Sequence, residues 1–351
     1  MKYKNRIFII MLAFILILSG CGLAGERSSR TDSSKSVSNN DISKAPGLKI
    51  IALKGPTGMG MAPLMIKYIA IDAAPYKFSI VGAPDEIAPM LAKKEADIAA
   101  LPANLAAILS KKTNGEIQII AINTLGVLSI VSKGDAIHSV SDLRGKTLYA
   151  SGKGSTPEYI LNYLLDSYGL TEDDVKIEWK SEHSECLAAI SESDDANAAA
   201  MLPQPFVTSA LMKIDGLKIA LDLTEEWDKL QMLKSSDSAL SKCVTGVLVA
   251  RKEIAKSYPE KVDEFLKEYE ESVNFVNENV DDAAKMIGSF EIVPENIAKD
   301  AIPKCNIVCI TGGEMKEKLT GYYKVLFDQN PDSIGGSMPE DDLFYKAKPK
   351  K

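Results

Sequence analysis

The chain is poor in the residues that most catalytic sites are built from. Its 351 residues contain two histidines, His138 and His183, both in polar stretches that read as loops. There is no His-Glu-x-x-His helix and no Gly-x-Ser-x-Gly elbow, which removes the common zinc protease and serine hydrolase arrangements. Five cysteines occur without a Cys-x-x-Cys pair, and a zinc site would need a tighter ligand cluster. Basic excess is missing as well: 41 Lys and Arg stand against 48 Asp and Glu, a net charge of −7, the wrong sign for a nucleic-acid surface. Runs such as Lys261-Val262-Asp263-Glu264 alternate charge as solvated helix faces do. The glycine-rich stretch Gly55-Pro56-Thr57-Gly58-Met59-Gly60 lacks the Gly-Lys-Ser/Thr ending of a P-loop and the spacing of a dinucleotide fingerprint. No catalytic residue, metal site or cofactor is therefore expected. The expectation is a protein that binds rather than converts.

What is present begins at the N-terminus. Lys2, Lys4 and Arg6 precede an apolar run from Ile7 to Leu18, too short to span a bilayer comfortably, and small residues follow. That order describes a secretory signal peptide over residues 1–20. Leu18-Ser19-Gly20-Cys21 resembles the lipobox of bacterial lipoproteins, which implies that Cys21 is lipidated and anchors the protein on the extracytoplasmic face of the cell membrane. Residues 21–46 are rich in Ser, Asp and Asn and cannot bury enough apolar surface to offset their ordering entropy, so they read as a flexible tether. Outside the cell a disulfide is allowed among Cys186, Cys243, Cys305 and Cys309. Their pairing is not readable from sequence, and buried free thiols are the default expectation.

The remaining body, roughly 300 residues, exceeds what one compact core usually holds. From Leu48 it alternates short apolar strands with helical stretches, a β-α-β-α order that predicts an α/β fold of two lobes, each a parallel sheet flanked by helices. A helix is predicted over Pro84 to Glu95, and the chain after Arg251 reads as mostly helical. Two extended apolar segments, Val127 to Lys133 and Thr245 to Arg251, read as crossings between the lobes. The expected division is 47–125 plus 252–345 for lobe 1 and 126–251 for lobe 2.

In open α/β sheets ligands bind beyond the carboxyl ends of strands, where helices begin. The turns Gly55 to Gly60, Leu101 to Asn104, Ser151 to Thr156 and Leu202 to Pro205 occupy such positions. They nominate Thr57, Gly58, Met59, Asn104, Ser155, Thr156 and Gln204 as ligand-binding residues. Ser155 or Thr156 can cap a helix whose first turn holds Pro157, and a helix start with free N–H groups favours an anion. Bulk at Gly58 is expected to weaken binding without unfolding the protein. Met59 can line an apolar part of the pocket.

Several segments carry a family resemblance. Gly82-Ala83-Pro84-Asp85-Glu86-Ile87, Met90 to Ala99, Ser139-Val140-Ser141-Asp142-Leu143-Arg144-Gly145-Lys146-Thr147-Leu148 and Ala198 to Pro205 together resemble substrate-binding lipoproteins of ABC importers. Among these the chain is most similar to the nitrate, sulfonate and taurine group (SsuA-like), with its thiamine-precursor-binding branch. The resemblance implies a two-lobed periplasmic-binding-protein fold of the Venus-flytrap kind. It also implies hinge closure on a small polar or anionic solute, a partner permease with its ATPase, a monomer, and no enzymatic activity. For a pyrimidine ligand of the thiamine-precursor branch, Tyr159 and Phe206 would be the stacking residues. A lipoprotein that senses a solute without importing it is the further alternative.

Overall fold

The computed structural model describes residues 47–195, 198–234 and 242–346. The signal-peptide, tether and Cys21 readings lie outside these residues. The first half opens with β1 (Leu48–Leu53), α1 (Pro56–Met59), α2 (Ala62–Tyr68), β2 (Tyr76–Val81), α3 (Ile87–Ala92), β3 (Ile98–Pro102), α4 (Ala103–Lys112) and β4 (Ile117–Leu125). The chain then enters a second sheet through β5 (Leu128–Ser132), β6 (Thr147–Ser151), α5 (Thr156–Ser167), β7 (Lys176–Lys180) and α6 (His183–Glu192). That half continues with β8 (Ala199–Pro203), α7 (Phe206–Lys213), β9 (Lys218–Asp222) and α8 (Leu223–Lys234). The return is β10 (Val244–Arg251), followed by α9 (Lys252–Ser257), α10 (Pro259–Glu278), α11 (Val280–Ser289), α12 (Glu295–Ala301), β11 (Ile307–Ile310) and α13 (Gly312–Gln329).

Both sheets are mixed rather than parallel. The first has strand order β11-β4-β10-β3-β1-β2 and the second β7-β6-β8-β5-β9. β1 runs parallel to β2 and β3, and β6 parallel to β7 and β8, as the β-α-β pattern predicts. β10 lies antiparallel between β3 and β4, and β5 antiparallel between β8 and β9. The cause is the crossing itself. A strand that arrives from the other half enters its sheet at the edge where the neighbouring strands end, and so must run against them. A fully parallel sheet was incompatible with two crossings. β11 and α8, which apolar patterning did not single out, complete the two sheets' surroundings. The helix predicted over Pro84 to Glu95 is a 3₁₀ turn at Pro84–Glu86 followed by α3, which stops at Ala92 as Lys94 takes the left-handed region with φ 59°.

Alternation along the strands decides the core. In β1, Ile51 and Leu53 face one cluster while Ile50 and Ala52 face another; β3 divides in the same way between Ala99 with Leu101 and Ile98 with Ala100. A strand buried on both faces reads as a continuous apolar run, which is why these segments show no polar alternation. One cluster is common to both halves. It takes Leu101, Ile119 and Ile122 from the first sheet, Leu128, Ile130 and Leu148 from the second, and Ile160, Trp227, Tyr322 and Leu326 from α5, α8 and α13. The outer faces are closed by Met59, Met61, Phe265 and Tyr269 on the first sheet and by Cys186, Leu202 and Val207 on the second. Where β4 passes to β5, Asn306 braces the link: its Nδ2 donates to Gly126 O at 2.6 Å and its carbonyl accepts from Leu125 N at 3.1 Å. Gly126 is required there, since a Cβ would stand 2.2 Å from Thr224 Oγ1.

Candidate functional site

Three parallel strands of each sheet, β1 to β3 and β6 to β8, are each followed at the carboxyl end by a turn into a helix. α4 starts directly after β3, with Pro102 holding the extended conformation before Ala103. α5 starts after the turn 151–155, in which Gly152 and Gly154 have φ of 84° and 74° and so need glycine's freedom. The two helix starts belong to different halves, yet they touch: Thr156 Oγ1 donates to Asn104 Oδ1 at 2.9 Å, with both residues buried. α13 and the turn after it support this contact. Tyr323 OH donates to Ala103 O at 2.8 Å, and Asn104 Nδ2 donates to Ser333 O at 3.5 Å.

A second polar group sits at the crossing end of the first sheet. Asn123 on β4 is wholly buried, and its Nδ2 donates to the carbonyl of Thr57 at 3.2 Å. Gly246 on β10 makes that approach possible, because a Cβ there would lie 2.4 Å from Thr57 Cγ2 and 2.5 Å from Asn123 Oδ1. Thr57 Oγ1, Asn123 Oδ1, Thr124 Oγ1, Trp227 Nε1 and Tyr322 OH are all buried without a hydrogen-bond partner. Leaving such an atom unsatisfied costs about 1–3 kcal/mol. Burial holds the Tyr322 phenol well above its ordinary value, and the hydroxyl of Thr156 beside it acts in the opposite direction.

Buried carboxylates are paired. The buried pair Asp97–Arg251, at 2.6 Å, closes the far end of the first sheet. Buried Glu226 is held by Lys229 at 2.6 Å and by Tyr168 OH at 3.0 Å. Among the described residues no cluster of His, Cys, Asp and Glu is arranged to hold a metal ion. A surface groove of about 430 Å³ lies along the edge strand β2, lined by Tyr68, Tyr76, Phe78 and Phe290. Tyr68 and Tyr76 spend their hydroxyls there on Glu268, and the converging helix starts are not part of it.

The residues nominated from sequence fall into several groups. Asn104 and Thr156 come together at the contact between the halves, and Thr57 belongs to the separate group around Asn123 and Gly246. Ser155 adjoins Thr156 in the chain, Gln204 lies at the start of α7, and both are committed locally. Ser155 Oγ donates to Gly152 O at 2.6 Å, and Gln204 Oε1 accepts from Thr208 Oγ1 at 2.8 Å at the start of α7. Gly58 and Met59 turn away. A Cβ on Gly58 would stand 2.2 Å from Leu53 O, and Met59 is packed in the outer core of the first sheet. Substitution at Gly58 therefore strains the backbone rather than reporting on binding alone.

Asn123, Thr124, Trp227 and Tyr322 were missed, and so was His183. His183 is not in a polar loop: it opens α6, its Nδ1 lies 2.5 Å from Ser151 Oγ, and its ring packs on Phe206 with centroids 5.2 Å apart. Burial pushes its pKa down. The signal was available, since Ser151 ends β6, His183 follows β7, and neighbouring parallel strands end side by side. Phe206 is occupied by this ring, and the Tyr159 hydroxyl donates to Gly154 O at 3.3 Å. Cys186, Cys243, Cys305 and Cys309 are free thiols, with burial raising those of Cys305 and Cys309 to about 12.

Comparison with known proteins adds to this geometry. A family profile described as "ABC transporter, phosphonate, periplasmic substrate-binding protein" matches residues 73–296. No curated protein shows significant similarity to the chain. Among solved structures, an ABC transporter from Parabacteroides distasonis is 21% identical with a TM-score of 0.72, over 87% of this chain and 100% of that one. The periplasmic aliphatic sulphonate binding protein SsuA from Escherichia coli is 13% identical with a TM-score of 0.66, over 88% and 94%. The alkanesulfonate-binding protein SsuA from Xanthomonas axonopodis pv. citri, bound to MOPS, is 12% identical with a TM-score of 0.58, over 86% and 96%. At these identities the likeness establishes the fold: two mixed sheets flanked by helices, in the manner of periplasmic binding proteins.

Proposed function

We propose, from the premise that this chain belongs to the family of phosphonate ABC-transporter periplasmic substrate-binding proteins, that it captures a small oxyanion-bearing solute between its two halves. The observation that carries this reading is the meeting of the α4 and α5 starts at Asn104 and Thr156. Each helix start carries about half a positive charge, so two of them facing each other repel. An anion placed between them turns that repulsion into two favourable interactions. The hydroxyl of Tyr322 beside Thr156, and the indole N–H of Trp227, whose ring packs on Tyr322, supply donors without a full positive charge. A neutral donor set of this kind suits a solute that must be released again to a permease.

In this reading 47–125 plus 252–345, with β10 in its sheet, forms one lobe and the rest of 126–251 the other, closing about the β4–β5 link and the entry to β10, and the ligand favours the closed population. Lipidation at Cys21 would hold the protein beside its permease and ATPase on the extracytoplasmic face of the membrane, acting as a monomer. The test is a thermal-shift series on the body from residue 47 onward with methylphosphonate, inorganic phosphate, methanesulfonate, taurine, nitrate and a thiamine-type pyrimidine. A ligand that binds only the folded state raises the melting temperature by mass action. A shift with one or more of the oxyanions is expected. A shift with the pyrimidine alone, or with none of them, overturns the proposal.

A further inference from the structure

Resting on the lipid anchor read at Cys21, we propose that residues 66–80 and the groove beside them form a membrane-contact surface, which seats the body on the headgroup layer of the bilayer that holds the anchor. The observation behind it is a run of apolar side chains left in solvent. Ile66, Ile69 and Ile71 are 41%, 69% and 49% exposed, and Ala70, Ala73 and Pro75 are exposed with them. Three of the seven large hydrophobic side chains exposed among the described residues thus fall within six positions. Consecutive apolar residues in solvent are a liability for a protein unless something covers them. Beside them the groove of about 430 Å³ continues the apolar surface through Phe78, Ile80 and Phe290, along a strand that is a sheet edge.

The place where the chain enters the body says what covers this surface. Leu48 N donates to Pro75 O at 2.8 Å, and a Cβ on Gly47 would lie 2.7 Å from Ala74 O. The first described residue therefore sits against the turn that carries the exposed isoleucines. From Cys21 to Pro46 the chain is 26 residues long, a reach of at most about 90 Å. A surface held that close to a bilayer meets it at an effective concentration in the millimolar range, so a patch too weak to bind alone is occupied.

The chemistry of the rim agrees. Lys67 and Lys77 outnumber Asp72, the one acidic residue in 66–80, in a chain whose net charge is −7. Lysine stems lie along apolar surface while their ammonium groups stay at the level of the headgroups. Tyr68 is half-buried, with its hydroxyl on Glu268 at 2.9 Å and Lys67 Nζ 5.1 Å from its ring centroid. Such a side chain, apolar in body and polar at its tip, belongs at a membrane interface.

The experiment follows backbone hydrogen exchange by mass spectrometry in two samples. One is the lipidated protein, recovered from bacterial membranes and placed in vesicles of phosphatidylcholine and phosphatidylglycerol at about 3:1. The other is the mature chain from residue 21 in solution, carrying Cys21→Ser. Exchange across 66–80 is expected to be at least about fivefold slower on the vesicles, with the rest of the body unchanged. Ile69→Ser combined with Ile71→Ser is expected to restore the solution rate while the protein stays on the vesicles through its lipid. Its melting temperature is expected to hold, since both side chains are largely exposed. Equal exchange in the two samples, with the lipidated protein sedimenting with the vesicles, overturns the contact and leaves the anchor standing. A chain that lacks the acyl mass and does not sediment with vesicles removes anchor and contact together. Protection of 66–80 that appears in solution, rises with protein concentration and is lost in the double variant assigns the surface to a second copy of the chain and overturns the proposal.

Discussion

Thr156 and Gly58 were nominated by the same argument, a helix start after a strand, and the structure separates them. The Thr156 hydroxyl joins the two halves through Asn104, so Thr156→Val keeps the shape and branching while removing the bond. Ligand affinity is expected to fall about ten- to a hundredfold, and the free protein to lose about 1–3 kcal/mol because Asn104 Oδ1 is left buried without its donor. Gly58→Ala drives a Cβ to within 2.2 Å of Leu53 O and is expected to lower the melting temperature, a loss of about 1–3 kcal/mol. Titration calorimetry and thermal denaturation on both variants check the pair. An unchanged affinity in Thr156→Val would remove this residue from the site. His183 gives a third outcome at this scale. The unfolded chain takes up a proton below its ordinary value of about 6.5, whereas the buried imidazole resists protonation until lower pH. Stability is therefore present above that value and is expected to fall as pH drops through it. His183→Gln is expected to flatten the melting-temperature curve between about pH 7.5 and pH 5; a curve identical to that of the native protein would show that His183 does not contribute.

At the scale of elements, the strands were legible because burial on both faces writes them as short apolar runs between glycine-rich turns. Ile50, Ile51, Ile98 and Leu101 carry that signal plainly. Strand direction was not legible, because an apolar run looks the same whether it is entered from one end or the other. β5 and β10 were recognised as crossings, but their antiparallel placement follows only from the edge at which they enter. The site divided along the same line. Asn104 and Thr156 were visible as residues at helix starts, a local property. Asn123 sits at the end of β4 and meets Thr57 only because β10 inserts Gly246 beside it, a relation between segments more than a hundred residues apart in the sequence. Trp227 and Tyr322 reach the site from α8 and α13, where helical patterning marks them as ordinary core residues.

For the whole molecule, the shared core sets the terms of closure. α13 packs on β4 and β10 of the first half and on α5 of the second, and Tyr322 extends from it to the ring of Trp227, with centroids 5.9 Å apart. Trp227 in turn packs on Tyr163 of α5 at 4.7 Å. Any opening of the halves must therefore alter the surroundings of Trp227, including the exposure of its unpartnered N–H. The chain has two tryptophans, and the other, Trp179, lies on the half-exposed edge strand β7 of the second sheet. Trp179→Phe leaves a single emitter at the junction without touching the site. Titrating this variant with methylphosphonate is expected to shift or quench its emission in a saturable way, with the midpoint matching the calorimetric affinity. Binding confirmed by calorimetry with an emission spectrum that stays constant would mean that the Tyr322–Trp227 junction is rigid. Closure would then have to pivot on the opposite side of the cleft.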